Sequence, residues 1–113
     1  NFEELIGTKL RALYQRKKGR DLFDLSYALA NGDIDIDKVL MCYNKYMEFV
    51  VDKAPSYKQF VNNMEEKMQD SEFLEDTRSL LRPDIKFDPQ EAYERVYNTL
   101  IDKMAGKRND FAV

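Results

Sequence analysis

Five charged residues near the beginning of the sequence have types and spacing that could bind an anion. Lys9 and Arg16 are seven residues apart, so they share one face of a helix. Arg20, Asp21 and Asp24 follow at the start of the next predicted helix. If these two helices form a hairpin, the cations and carboxylates meet in one polar cluster on an otherwise apolar hairpin. Such cations bind phosphate, and a carboxylate near a phosphate can accept a proton or orient an attacking hydroxyl.

The same cluster also has a purely structural interpretation. Acidic residues in the first turn of a helix are favoured by the helix dipole, so Asp21 and Asp24 need no catalytic role. Lys9 could be a surface residue whose aliphatic stem covers apolar neighbours. The residues by themselves therefore leave two interpretations open, an anion-binding site and an ion-pair cluster that holds the hairpin together.

The composition indicates a globular domain with an uneven charge distribution. The chain has 113 residues, of which 43% are hydrophobic and 35% charged, enough for one small domain with one core. The net charge is -3, yet residues 1–20 contain six basic and only two acidic side chains. A basic beginning on an acidic body suggests an anion site near that end, although a solvated charged turn would have the same composition.

Several classes of protein are disfavoured by what the sequence lacks. It contains no histidine, which excludes histidine-based triads and most zinc sites, and we predict no metal-ligating residue. The single cysteine, Cys42, cannot form an intrachain disulfide, and it is predicted to be a small core or half-buried residue in a reducing compartment. No apolar run approaches the roughly 20 residues that cross a bilayer, and no signal peptide is visible. We therefore expect a cytoplasmic location, and the absence of an initial Met suggests part of a longer protein.

Apolar residues spaced three and four apart predict an all-α bundle of about six helices. The predicted helices span about 2–15, 20–30, 36–53, 57–68, 71–81 and 88–104. Asp35, Ser56 and Asp88 are predicted N-caps, and Gly19 is predicted to end the first helix in a left-handed conformation. The predicted buried residues are Leu5, Leu13, Leu22, Leu25, Leu29, Tyr43, Phe60, Met64, Val96 and Leu100. We interpret 1–113 as a single helical domain, with a hairpin over 1–31, further bundle helices over 32–105 and a polar tail over 106–113.

The motifs of the hairpin resemble the signature of the AbiEii/AbiGii nucleotidyl transferase toxin family. That signature has a Glu, then a Lys with Leu-x-Ala-Leu, an Arg, and an Arg-Asp-Leu-aromatic-Asp-Leu block. The matching residues here are Glu4, Lys9-Leu10-Arg11-Ala12-Leu13, Arg16 and Arg20-Asp21-Leu22-Phe23-Asp24-Leu25. The later stretches 73–76 and 87–89 are similar to the late helical part of these proteins. The resemblance covers most of the chain.

The resemblance implies the helical C-terminal half of a two-part, metal-dependent enzyme. It implies that Lys9 contacts the nucleoside triphosphate. We expect Arg16 and Arg20 nearby, as phosphate contacts or as ion-pair partners that hold the carboxylates. The resemblance also implies that Asp21 is a general base or an organiser of the site, with Asp24 as a second catalytic candidate. The family's mixed sheet, Gly-Ser motif and metal-binding carboxylates are missing here. Mg²⁺ and nucleoside triphosphate are therefore expected to bind the full-length protein, and this chain alone is expected to bind neither and to be inactive.

The resemblance also implies partners and a biological role. The expected partners are an RNA acceptor for the nucleotide and a cognate antitoxin or regulator. The expected role is in type IV toxin-antitoxin systems or abortive infection. The alternative is a non-catalytic helical interaction module that binds nucleic acid or a partner protein through the basic hairpin. Nucleic-acid binding as the only role is disfavoured by the acidic body and the single basic cluster.

Overall fold

Helices form all the regular secondary structure in the computed structural model of the protein, which describes residues 1–76 and 87–104. The described helices are α1 (Phe2–Gln15), α2 (Gly19–Asn31), α3 (Ile36–Val51), α4 (Tyr57–Lys67), α5 (Ser71–Glu75) and α6 (Pro89–Val96). α6 continues into a π-helical turn over Tyr97–Ile101. The predicted all-α fold class is thus confirmed, and no described helix is both long and apolar enough to cross a bilayer.

The helices begin where local capping chemistry predicts. Asp35 accepts a hydrogen bond from the Lys38 backbone N–H at 3.2 Å. Ser56 and Gln59 cap α4 reciprocally, each side chain accepting from the other residue's backbone N–H. Asp88 caps α6, with Pro at the first position. The three predicted N-caps are therefore confirmed. The predicted part of α5 over 77–81 and the tail over 106–113 lie outside the described residues.

One apolar core joins all six helices, and most of the predicted core residues belong to it. The buried residues are Ile6, Leu10, Leu13, Leu22, Leu25, Val39, Leu40, Tyr43, Met47, Phe60, Met64, Phe73, Ala92, Val96, Leu100 and Ile101. Leu29 is half-buried against this core. The prediction for Leu5 is wrong, because its side chain is 53% exposed. The buried stripe of α1 runs through Ile6, and Leu5 is rotated about 100° from it around the helix axis.

α1 is the central helix of the site because it packs against both α2 and α3. It runs alongside α3 in the same direction, with Gly7 opposite Val39 and Tyr43 and the Arg11 guanidinium 4.8 Å from the centre of the Tyr46 ring. A Cβ on Gly7 would lie 3.1 Å from the Tyr43 backbone nitrogen, so glycine permits this close approach. α2 also packs on α6.

Gly19 does not have the conformation predicted for it. α1 ends with Arg16 in extended backbone, and the Arg16 N–H donates to the Ala12 carbonyl. Gly19 is instead the first residue of α2, and no described glycine has a positive φ. The physical need for glycine is spatial, since a Cβ at this position would overlap the carbonyl oxygen of Phe73 on α5. The predicted turn of the hairpin next to Gly19 is confirmed, and the predicted left-handed conformation is wrong.

Candidate functional site

The hairpin of α1 and α2 brings four of the five predicted site residues together as two ion pairs. Lys9 Nζ donates to Asp24 Oδ2 at 3.1 Å. The Arg16 guanidinium donates to both carboxylate oxygens of Asp21, at 2.8 and 3.2 Å. Because Lys9 and Arg16 lie two turns apart on α1 and the two aspartates lie one turn apart on α2, the pairs are neighbours along the hairpin.

The two pairs differ in their access to solvent. The Asp21 side chain is fully buried, at 0% exposed, whereas the Asp24 side chain is 40% exposed. Lys9 is 36% exposed and Arg16 is 51% exposed. Both oxygens of Asp21 accept charge-assisted hydrogen bonds, and this bonding and the carboxylate charge raise the pKa of Arg16. Asp21 is therefore held in place, while Lys9 and Asp24 form an accessible pair that a ligand can reach.

Arg20 is the fifth predicted site residue, and it belongs to neither ion pair. Its side chain is exposed. Its backbone N–H donates to Asp76 Oδ2 at 3.2 Å, beyond the end of α5. Arg20 and Asp24 are four residues apart on α2, so their side chains are neighbours on its surface. The structure thus places Arg20 beside the Lys9–Asp24 pair and outside the interior of the hairpin.

Lys67 is a buried charged residue next to the hairpin that the sequence interpretation missed. Its ammonium donates to the carbonyls of Leu13 and Tyr14, in the last turn of α1, with a distance of 2.8 Å to the second. Only 7% of Lys67 is exposed. Burial lowers the pKa of Lys67 to about 8, although the nearby Asp21 carboxylate acts in the opposite direction. One signal could have revealed it, since Lys67 continues the buried stripe of Phe60 and Met64 on α4.

Comparison with known proteins identifies the family. A family model described as nucleotidyl transferase AbiEii toxin, type IV toxin-antitoxin system, matches residues 1–108. The chain belongs to this family. The resemblance seen in the hairpin motifs is therefore confirmed, and the match includes all five candidate site residues. Comparison with curated proteins and with solved structures gives no significant match.

Membership in the AbiEii family has one direct consequence for partners. The family is part of a type IV toxin-antitoxin system, so a cognate antitoxin is implied. The family description names nucleotidyl transfer as the activity of these toxins. This activity would need a phosphate-binding site, which is one of the two interpretations that the residues of the hairpin left open.

The α5 helix holds the turn of this AbiEii hairpin in place. Lys17 Nζ forms an ion pair with Asp70 Oδ2 at 2.7 Å, and Asp70 also caps α5 by accepting from the Phe73 N–H. The hydrogen bond from Lys17, which has the largest effect, and the one from the Phe73 N–H both lower the pKa of Asp70. Gly19 lies directly against the Phe73 carbonyl. The turn that brings the two ion pairs together therefore depends on a helix about 50 residues further along the chain.

The lowered pKa of Lys67 predicts a pH dependence of stability. Its pKa is about 8 in the folded protein and 10.5 ordinarily, so between these values the unfolded chain binds the proton that the folded chain releases. The free energy of unfolding of the parent should therefore rise relative to Lys67→Met as the pH increases from about 8 to 10. Urea denaturation of both proteins across this range measures the difference.

The matched control for this prediction is Lys58→Met, which removes an exposed lysine from the same helix. Its difference from the parent protein should stay constant over the same pH range. A difference for Lys67→Met that is also constant, or that falls with increasing pH, would show that the Lys67 ammonium carries no penalty of burial.

Proposed function

We propose that the protein containing this chain transfers a nucleotide from a nucleoside triphosphate to an acceptor, with RNA as the acceptor class. In this proposal the hairpin forms one wall of the nucleotide cleft, and a metal-binding domain forms the other. Family membership supports the reaction class. The observation that carries the assignment of the site is the half-exposed Lys9–Asp24 pair next to the buried Arg16–Asp21 pair.

Lys9 and Arg16 bind the triphosphate in this proposal. In nucleotidyl transfer an acceptor oxygen bonds to the α-phosphorus, the bond to the bridging oxygen breaks, and pyrophosphate leaves. Lys9 has a flexible stem and a compact charge, and its partly exposed pair with Asp24 is weak enough to exchange for a phosphate oxygen. Arg16 has five N–H donors and uses only two on Asp21, so its half-exposed guanidinium can also donate to the triphosphate.

The two aspartates take different roles in this proposal. Asp24 is the accessible carboxylate, and once Lys9 turns to the phosphate it is free to accept the proton of the acceptor hydroxyl or to orient that hydroxyl. Asp21 is buried with both oxygens bonded to Arg16, so it acts as a positioning residue for this guanidinium. Of the two roles that the resemblance implies for Asp21, its burial favours the organiser.

The two carboxylates of the hairpin already have cationic partners. Mg²⁺ takes oxygen ligands in near-ideal octahedral geometry. Both Asp21 oxygens accept from Arg16, and Asp24 pairs with Lys9. In residues 1–76 and 87–104, no three carboxylate, Cys or His side chains cluster in a way that could hold a metal ion. We therefore propose that the metal ligands of the enzyme come from other residues, and that this chain contributes cations and a proton acceptor.

A transfer assay with the complete protein tests the proposed function. The protein is incubated with Mg²⁺, RNA and each of the four labelled nucleoside triphosphates in turn, and labelled RNA is expected with at least one of them. The isolated chain of 113 residues should form no labelled product under the same conditions. In the control a chelator is added to remove free Mg²⁺, and no labelled RNA is expected.

Two results would contradict this proposal. A folded complete protein that labels no RNA with any of the four triphosphates would show that the acceptor class or the activity is wrong. Transfer by the isolated chain would show that the whole active site lies within these residues.

A further inference from the structure

An exposed tyrosine lies on the same ridge of α2 as two of the site residues. Arg20, Asp24 and Tyr27 have the spacing i, i+4, i+7, which places them along one outer stripe of the helix. Tyr27 is 62% exposed, although an aromatic ring usually gains stability from burial. Asp24 and Tyr27 are one turn apart, so their side chains are neighbours on the helix surface. Tyr27 therefore lies one turn along α2 from Asp24, the carboxylate of the Lys9–Asp24 pair.

The Tyr27 ring is exposed yet supported by other rings. It stacks on Phe23, with ring centres 6.0 Å apart and planes inclined by 28°. Phe23 in turn packs edge-on against Phe87, with ring centres 5.1 Å apart and planes at 81°. These contacts join α2 to the segment that leads into α6, and they cover only part of Tyr27. The result is an aromatic surface whose orientation is supported from behind and whose outer part is open to solvent.

We propose that Tyr27, supported by Phe23, is a stacking platform for a nucleobase of the substrate. This inference rests on the proposed function, because it is the Lys9 and Arg16 phosphate site beside the ring that points to a nucleotide. Every nucleobase has a flat π face, and stacking on an aromatic side chain strengthens binding by about tenfold or more for each base. Arg20, three residues before Phe23 on the same helix, adds a cation at the Phe23 end of the platform. The base belongs either to the nucleoside triphosphate or to the end of an RNA acceptor.

A tryptophan introduced at the platform reports on stacking directly. The chain contains no tryptophan, so Tyr27→Trp in the complete protein adds a fluorophore that keeps a stacking face, and the parent protein gives the background. The matched control is Phe49→Trp, at an aromatic residue that is 91% exposed on α3. Each protein is titrated with the four nucleoside triphosphates, with inorganic tripolyphosphate, and with a short single-stranded RNA.

The platform is supported if a ligand that carries a base quenches the fluorescence of Tyr27→Trp and leaves that of Phe49→Trp unchanged. Quenching by a triphosphate assigns the base to the nucleotide donor, whereas quenching by the RNA assigns it to the acceptor. Tripolyphosphate should quench neither variant, because it has no base. Equal quenching of both variants, or none by any ligand, would overturn the platform.

Kinetics of further Tyr27 variants separate this inference from the proposed function. Tyr27→Ala should raise the KM of the stacked substrate about tenfold and change kcat little, whereas Tyr27→Phe should keep the parent KM because its ring still stacks. If transfer is normal and Tyr27→Ala keeps the parent KM, the platform is wrong while the function stands. If no transfer is seen but the introduced tryptophan is quenched by a base, the platform stands and the function is wrong.

Discussion

Lys9→Ala in the complete protein is expected to reduce nucleotide transfer by about 10²–10³-fold, the loss typical of removing one donor that stabilises transition-state charge. Lys9 is the accessible cation of the hairpin, and in the proposed reaction it faces the triphosphate oxygens on which negative charge develops. The free energy of unfolding should change by less than about 1 kcal/mol, because the lost ion pair is more than a third exposed. Initial rates of labelling and urea denaturation measure the two effects.

The matched control is Lys58→Ala, which removes an exposed lysine from α4 and should leave the rate of transfer unchanged. Asp24→Asn should reduce transfer as well, because the amide no longer accepts a proton. Lys9→Ala that retains full activity would remove Lys9 from the phosphate site. Lys9→Ala that unfolds the protein would show that the Lys9–Asp24 pair holds the hairpin together, the structural interpretation that the residues alone left open.

Gly19→Ala is expected to destabilise the protein by about 2–3 kcal/mol, in the upper part of the roughly 1–3 kcal/mol found for overpacked sites. Helix propensity alone predicts the opposite sign, since alanine is favoured over glycine inside a helix by about 1 kcal/mol. The added Cβ would overlap the Phe73 carbonyl oxygen, and a backbone atom can move away only if α5 shifts from α2. The midpoint of urea denaturation measures the loss. Transfer should decline too, because the same turn positions both ion pairs.

Lys18→Ala serves as the control for this prediction. It changes the adjacent residue, whose side chain is exposed and makes no capping hydrogen bond, so the expected change is within about 0.5 kcal/mol. Gly7→Ala should fall between the two, because its Cβ would lie 3.1 Å from a backbone atom of α3 and a small shift relieves that contact. A stabilised Gly19→Ala protein would mean that α5 does not press against the start of α2.

The features that could be predicted from the sequence are those decided within a few residues along the chain. Asp35, Ser56 and Asp88 cap their helices through bonds to backbone N–H groups two or three residues away, so spacing alone locates them. The hairpin is local in the same sense. Lys9 and Asp24 are only 15 residues apart, and a hairpin of the two predicted helices is enough to bring them together. The residues that match the family signature lie within this segment, so their order along the chain is enough to identify them.

The tertiary structure alone decided which of these groups are buried and what covers them. Periodicity assigns Leu5 to an apolar helix but does not show that the buried stripe passes through Ile6 beside it. Asp21 and Asp24 have similar sequence surroundings, yet one is fully buried on Arg16 and the other is open to solvent. Lys67 donates to carbonyls at the end of α1, although it lies 53 residues after Tyr14 in the sequence. Burial and long-range contact depend on how the helices pack together, and this packing is a property of the whole chain that no short stretch of residues contains.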